Sequence, residues 1–143
     1  MKAAIKQRAR IARVRRLQHG LAASSAAEAA GQLRDLVVSS ERLAQLRSEL
    51  GATEGETSGA WLACAGELAM RLDKARLGLA PSIDAARSAA SAKEQARVRA
   101  RQDQESAERL EHAAARAAAD MAERRVNKAG RRRAYAGIGG MEQ

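Results

Sequence analysis

One stretch of this chain, from Trp61 to Arg125, most constrains the fold. Starting at Trp61 and stepping alternately four and three residues, nearly every position reached is apolar. An apolar repeat of 3.5 residues held over this length is typical of the seam of a coiled coil. The stretch therefore predicts a long helix that needs a partner helix. The positions of the stripe are Trp61, Ala65, Leu68, Leu72, Ala75, Leu79, Ser82, Ala86, Ala89, Lys93, Ala96, Ala100, Asp103, Ala107, Leu110, Ala114, Ala117 and Met121.

The remainder of the chain supplies a candidate partner helix. Apolar residues recur at helical spacing through residues 2–50, which predicts a first helix. The segment 51–58 contains two glycines and several small polar residues, and it predicts the loop. A loop this short between two long helices favours antiparallel packing. The predicted fold is all-α, with two long helices forming an antiparallel coiled-coil hairpin.

The predicted boundaries follow from the same signals. Residues 1–143 form a single elongated domain with a second helix over 59–129 and a flexible tail over 130–143. Thr57 and Ser58 can each cap the second helix. We expect possible kinks near Gly20 and Pro81, and the unbroken phase of the stripe across Pro81 favours a kink over a break.

Large apolar residues mark the predicted seam most clearly, and two charged residues interrupt it. Lys93 and Asp103 could sit against an opposite charge within one hairpin or specify the register of a dimer. The principal seam residues are Leu36, Leu43, Leu50, Trp61, Leu68, Leu72, Leu79, Leu110 and Met121.

Positive charge is concentrated at the two ends of the sequence. The chain has a net charge of +9, residues 1–16 carry +7, residues 124–133 carry +6, and the segment between them is slightly acidic. Antiparallel packing would bring both basic blocks to one end, where their repulsion opposes folding, so we expect an acidic partner there. The candidate contact residues, chosen from charge placement, are Arg13, Arg15, Arg16, Arg124 and Arg125.

Enzyme chemistry is not indicated. No phosphate-binding glycine motif occurs, and His19 and His112 are expected to be solvated helix residues rather than ligands. The single cysteine, Cys64, excludes an internal disulfide. We expect no catalytic residue, no metal, no cofactor and no small-molecule substrate.

Three other interpretations of the basic ends remain open. Arginine and lysine on a helix suit phosphates, so the chain could be a basic coiled-coil nucleic-acid-binding protein. An anionic membrane surface could receive residues 2–21, where Ile5, Ile11, Val14, Leu17 and Leu21 could oppose an arginine face. The ends could also be solvated helix termini of a purely structural protein.

The chain resembles a known family over nearly its whole length. Residues 58–68, Ser-Gly-Ala-Trp-Leu-Ala-Cys-Ala-Gly-Glu-Leu, are similar to the family's aromatic-then-leucine entry to its second helix. The Arg/Glu/Gln-rich run that ends at residues 123–128, Glu-Arg-Arg-Val-Asn-Lys, is similar to its close. The family is that of the flagellar export protein FliJ and the YscO-type stalk proteins of type III secretion.

The resemblance implies a non-enzymatic stalk component of flagellar or type III protein export. Its partners would be a hexameric export ATPase, an export gate protein and possibly export chaperones, with nucleic acid a partner only under the alternative above. The resemblance also implies a cytoplasmic location, peripheral at the cytoplasmic face of the cell membrane, and a part in flagellum biogenesis, protein transport and chemotaxis.

Overall fold

The computed structural model describes residues 2–51 and 58–138, and both ranges are helical almost throughout. The helix α1 spans Lys2–Gly51 (50 residues), and α2 spans Gly59–Ile138 (80 residues). No strand occurs in these two ranges. The predicted all-α fold with two long helices is confirmed.

The helices contribute to two compact units. The first contains α1 through His19 and α2 from Arg99, and the second contains α1 from Gly20 and α2 up to Val98. The helices run antiparallel in each unit. In the first, Arg8 reaches Leu110 while Arg15 reaches Asp103.

The second unit shows the same direction of packing at two grooves. Leu50 borders one groove with Trp61, and Ser40 borders another with Ile83. Residues that come later in α1 therefore face residues that come earlier in α2.

Alanine dominates the contact between the helices. Ala12 and Ala107 are buried in the first unit, with 0% and 8% of their surface exposed, and Ala26 and Ala69 are buried in the second. No bulkier apolar side chain in the described ranges is buried to that extent. Small side chains let two helix backbones approach closely, but they remove little apolar area from water.

The seam on α2 differs from the predicted stripe in one of its two columns. The column through Ala65, Leu72 and Ala107 is covered as predicted, but the column through Trp61, Leu68 and Leu110 is exposed. The second covered column is displaced from this exposed column by one residue toward the C-terminus. Up to residue 130, the covered positions of α2 are Ala65, Ala69, Leu72, Leu79, Ile83, Ala86, Ala90 and Arg97 in the second unit and Ala100, Gln104, Glu105, Ala107, Glu108, Glu111, Ala114 and Ala118 in the first.

The other predicted seam residues divide in the same way. Leu36, Leu43 and Leu50 of α1 are half-buried, as is Leu79 of α2. Met121 is 44% exposed because it lies beyond the last covered position of α2. Alanine occurs in both possible second columns, so the repeat alone did not distinguish them.

Neither helix is interrupted at the residues expected to weaken it. The helix α1 continues through Gly20, and α2 continues through Pro81, which agrees with the prediction that the second helix does not break there. The end of α2 was predicted wrongly, because residues 130–138 are helical rather than a flexible tail. Good helix formers flank Gly130, and they offset its cost of about 1 kcal/mol. The central part of the predicted loop, 52–57, and residues 139–143 lie outside the described residues.

Ser58 caps the start of α2, as the sequence predicts. Its Oγ atom accepts a hydrogen bond from the backbone N–H of Trp61 at 3.2 Å, and its carbonyl oxygen accepts one from Leu62 at 3.1 Å. The first bond satisfies a donor that the first turn of a helix leaves without a partner, and the second is the first intrahelical bond of α2. Cys64 follows in the second turn as an exposed free thiol.

Replacing Ser58 by alanine should lower the free energy of unfolding by about 1 kcal/mol, because the N–H of Trp61 loses its acceptor. Urea unfolding followed by circular dichroism measures the change. The control is S88A, at an exposed position within α2, which should be neutral or slightly stabilising because alanine favours helix. Equal effects of the two substitutions would contradict the capping role.

Replacing Ala12 by leucine should lower the free energy of unfolding by about 1–3 kcal/mol, because the fully covered site has no room for a larger side chain. The matched control is A115L, at an exposed position of the same unit. Thermal unfolding of A12L and A115L measures the two changes in stability. A stabilised A12L protein would show that the helix contact is loose at Ala12.

Candidate partner-binding site

The basic block of α1 is partly neutralised within the first unit. Nη1 of Arg15 lies 3.1 Å from Oδ2 of Asp103, and Nε of Arg16 lies 2.7 Å from Oε1 of Glu108. A further oxygen, Oε2 of Glu111, lies 3.8 Å from Nη2 of Arg16. Two of the five arginines predicted to bind a partner therefore join α1 to α2. The first of the two alternatives for Asp103, an opposite charge on the other helix, is confirmed.

Glu108 is the centre of this network. It accepts hydrogen bonds from Arg16 and, at 3.1 Å, from the side-chain amide of Gln104. The hydrogen bond from Arg16 is the main reason that the pKa of Glu108 is lowered, and it also raises the pKa of Arg16. Both groups remain charged over a wide pH range, so Arg16 is held to α2 rather than offered to a partner.

Position along the chain explains why these groups meet. Arg15 and Arg16 flank the line of α1 that contains the fully covered Ala12, and Glu108 and Glu111 flank Ala107 on α2. Long side chains beside a line of small residues can reach across it. Arg8 does so as well, and it donates a bond of 3.4 Å to the carbonyl oxygen of Leu110.

Arg124 and Arg125 have a different environment. All residues from 121 to 130 are exposed, although the helix continues through them. Neither arginine makes an ion pair or a side-chain hydrogen bond within the described part of the chain. Lys128 lies one turn further along the same exposed segment, and Glu123 is its single acid. We name residues 121–130 the basic segment of α2.

Arg13 also remains available. It is exposed on α1, and no ion pair forms to it among the residues that the structure places. The structure does not bring Arg13 into contact with Arg124 or Arg125, so the five predicted residues do not form one site. Three of them present free guanidinium groups, and two stabilise the packing.

The two histidines differ from each other. His112 is exposed, as expected, and its proximity contributes, as the smallest cause, to the lowered pKa of Glu108. His19 is half-buried, and its Nε2 atom is buried without a hydrogen-bond partner in the described residues. The expectation that His19 is solvated was therefore wrong. No cluster of three metal-ligating side chains forms within the described ranges.

The exposed members of the predicted seam line a groove in the second unit. Trp61 and Leu68 lie beside Leu46, Leu50 and Leu72 around a volume of about 300 Å³. Trp61 is 37% exposed there. Its indole ring thus covers the side of the helix contact.

Comparisons with protein-family models, curated sequences and solved structures found no significant match to this chain. No helix of the described residues is long and apolar enough to cross a membrane.

The network at Glu108 predicts a loss of stability in acid. Because the pKa of Glu108 is lowered on folding, its contribution is complete above the unfolded-state value and is lost as the pH falls through the folded-state value. Thermal unfolding between about pH 6 and about pH 3 should therefore depend less steeply on pH in E108Q than in the wild type. The control is E123Q, on the exposed basic segment, and an equal change in both variants would contradict the assignment.

Proposed function

We propose that this chain is a non-enzymatic stalk component of flagellar or type III protein export. In this proposal it binds the hexameric export ATPase through the basic segment of α2 and links the ATPase ring to the membrane export gate. The proposal rests on the family resemblance together with one structural observation. Arg124 and Arg125 lie on an exposed helical segment and have no counter-charge among the described residues.

The exposed segment suits insertion into an acidic surface of a partner. Its cations lie within α2, so a partner meets them on a helix and needs only to keep that helix from opening. The sequence places three more arginines at 131–133, which are also within α2. An acidic pore or cleft would attract this density of positive charge and accelerate association.

Arg15 and Arg16 serve the proposed function indirectly. Their ion pairs with Asp103, Glu108 and Glu111 join α1 to the part of α2 that precedes the basic segment. Ion pairs between antiparallel helices resist the sliding of one helix along the other. A stalk that links the ATPase ring to the export gate needs this resistance. Arg13 is the remaining candidate on α1 for direct contact.

The remaining parts of the proposal come from the resemblance. The partners would include an export gate protein and export chaperones, and the protein would act in the cytoplasm at the inner face of the cell membrane. Protein export would in turn support flagellum biogenesis and chemotaxis. No cofactor or small-molecule substrate enters this role.

Reversing the charge of the basic segment tests the ATPase contact. In the variant R124E/R125E, affinity for the purified export ATPase of the source organism should fall roughly tenfold or more, because two attractive charges become repulsive. Stimulation of ATP hydrolysis and ring assembly, followed by light scattering, should fall with it. Helicity should remain, because the arginines have no partner within the described chain.

The matched control is R99E/R116E. It makes the same change in net charge at exposed positions of α2 that precede the basic segment and also have no ion pair in the described chain. It should retain binding. Unchanged binding by R124E/R125E, or no binding by the wild type, would refute the proposed contact. Charge reversal at Arg15 or Arg16 is unsuitable as a test because it also breaks the contacts between the helices.

A basic coiled-coil nucleic-acid-binding protein is the second candidate, since the same unpaired Arg124, Arg125 and Lys128 suit phosphates. Its affinity for generic duplex DNA would fall steeply between about 50 mM and about 200 mM salt. A tight, salt-sensitive duplex complex without ATPase binding would favour this candidate. A purely structural protein would bind neither.

A further inference from the structure

Three bulky apolar residues near the start of α1 lie on the side that faces away from α2, whereas Ile5 is half-buried beside Ala114 and Ala117 of α2. Ala12 is fully covered, whereas Ile11, Val14 and Leu17 are 47%, 51% and 65% exposed. At about 100° per residue, Val14 lies about 160° around the helix from Ala12 and Leu17 about 140°. Over residues 11–17, the usual arrangement, in which the largest apolar residues face the partner helix, is therefore inverted.

Cations accompany these residues on the outward side of α1. Lys6, Arg10 and Arg13 are exposed, and none forms an ion pair with any residue that the structure describes. Arg10 is one turn from Val14, on the same side. The first 27 residues of the sequence contain no acid, so α1 itself supplies no counter-charge to this face. We name these six residues, Lys6, Arg10, Ile11, Arg13, Val14 and Leu17, the outer face of α1.

We infer that the outer face of α1 binds an anionic membrane surface directly. Exposed bulky apolar residues beside lysine and arginine are what an interfacial helix needs, because the apolar side chains enter the acyl boundary while the cations meet lipid phosphates. The long aliphatic stems of Arg10 and Arg13 allow their guanidinium groups to reach the headgroups while the stems cover apolar surface. The helix lies in the plane of the interface and does not span it.

A second copy of the chain is a poorer occupant of this face. Most homodimers are symmetric, and a symmetric contact would place the outer face of one copy against that of another. Lys6, Arg10 and Arg13 would then face three cations of the same sign, with no acid in the first 27 residues to separate them. An anionic lipid surface supplies the missing counter-charge and also receives the three apolar side chains.

Membrane binding by the outer face of α1 is independent of the ATPase contact. It uses one side of α1, whereas the proposed ATPase contact uses the basic segment of α2. Arg13 is common to both, so substitutions at Arg13 are left out of the experiment. Vesicle binding measured without the ATPase can therefore fail or succeed separately from the proposed function.

The experiment is flotation of the full-length protein with vesicles of phosphatidylcholine alone or with about 30% phosphatidylglycerol. We expect binding to the anionic vesicles, weakened by raising salt from about 0.1 M to about 0.5 M. The variant V14Q/L17Q should lose about tenfold or more in partition coefficient, because its outer face has lost two apolar side chains. The variant K6Q/R10Q should lose up to about 30-fold at low salt.

Matched controls distinguish changes to the outer face of α1 from the general effects of removing apolar side chains or positive charge. M70Q/L77Q makes the same apolar-to-amide change at residues that are 68% and 74% exposed in the second unit, and R99Q/R116Q removes two cations from α2. Both should bind as the wild type does, and circular dichroism should show equal helicity in all variants. Absence of wild-type binding, equal losses in the controls, or a V14Q/L17Q protein that still floats would overturn the inference. Self-association that this variant abolishes would assign the face to a second copy instead.

Discussion

The close contact of alanines between α1 and α2 is the constraint on which the rest of the structure depends. Ala12, Ala26, Ala69 and Ala107 allow the two backbones to approach, but a methyl group removes little apolar surface from water. Bulkier residues such as Leu17 and Leu77 remain in solvent as a result. Polar contacts beside these alanines, chiefly the contact between Arg16 and Glu108, then fix which residues of the two helices face each other.

This arrangement divides the arginines into two groups with different consequences. Arginines beside the alanine line, such as Arg15, meet carboxylates of the other helix and are held in place. Arginines away from that line, such as Arg10, Arg124 and Arg125, keep their charge without a counter-ion in the described chain. Net charge alone does not separate the groups, but position relative to the seam does.

Much of the fold could be predicted from the sequence because helical periodicity and the cap at Ser58 are local signals. The second column of the seam on α2 could not be predicted, because alanine occurs in both possible columns. Ala75 and Ala89 of the predicted column fit an apolar pattern as well as Ala69 and Ala90 of the observed column do. The predicted end of α2 is too early, because the helix continues through Gly130 to Ile138.

The candidate site could be predicted only in part. Charge placement identified the basic blocks, but it could not distinguish Arg16, which meets Glu108, from Arg124, which meets no acid in the described residues. That distinction depends on which positions of the two helices face each other. In an antiparallel pair the residue numbers of facing positions have a nearly constant sum, so one confirmed contact, such as Arg15 with Asp103, would have indicated the others.

The exposed basic segment of α2 also has a consequence for amide hydrogen exchange. A helical segment without tertiary cover opens with little free energy, whereas the amides around the buried Ala107 open only when the helix pair separates. Exchange should therefore slow from residue 130 back toward residue 107. A partner that binds the segment must suppress this opening, so its affinity depends on helix propensity at residues it never touches. Gly130 is exposed, and a Cβ atom added there would have open space around it. Alanine at this position should therefore strengthen binding by preorganising the helix.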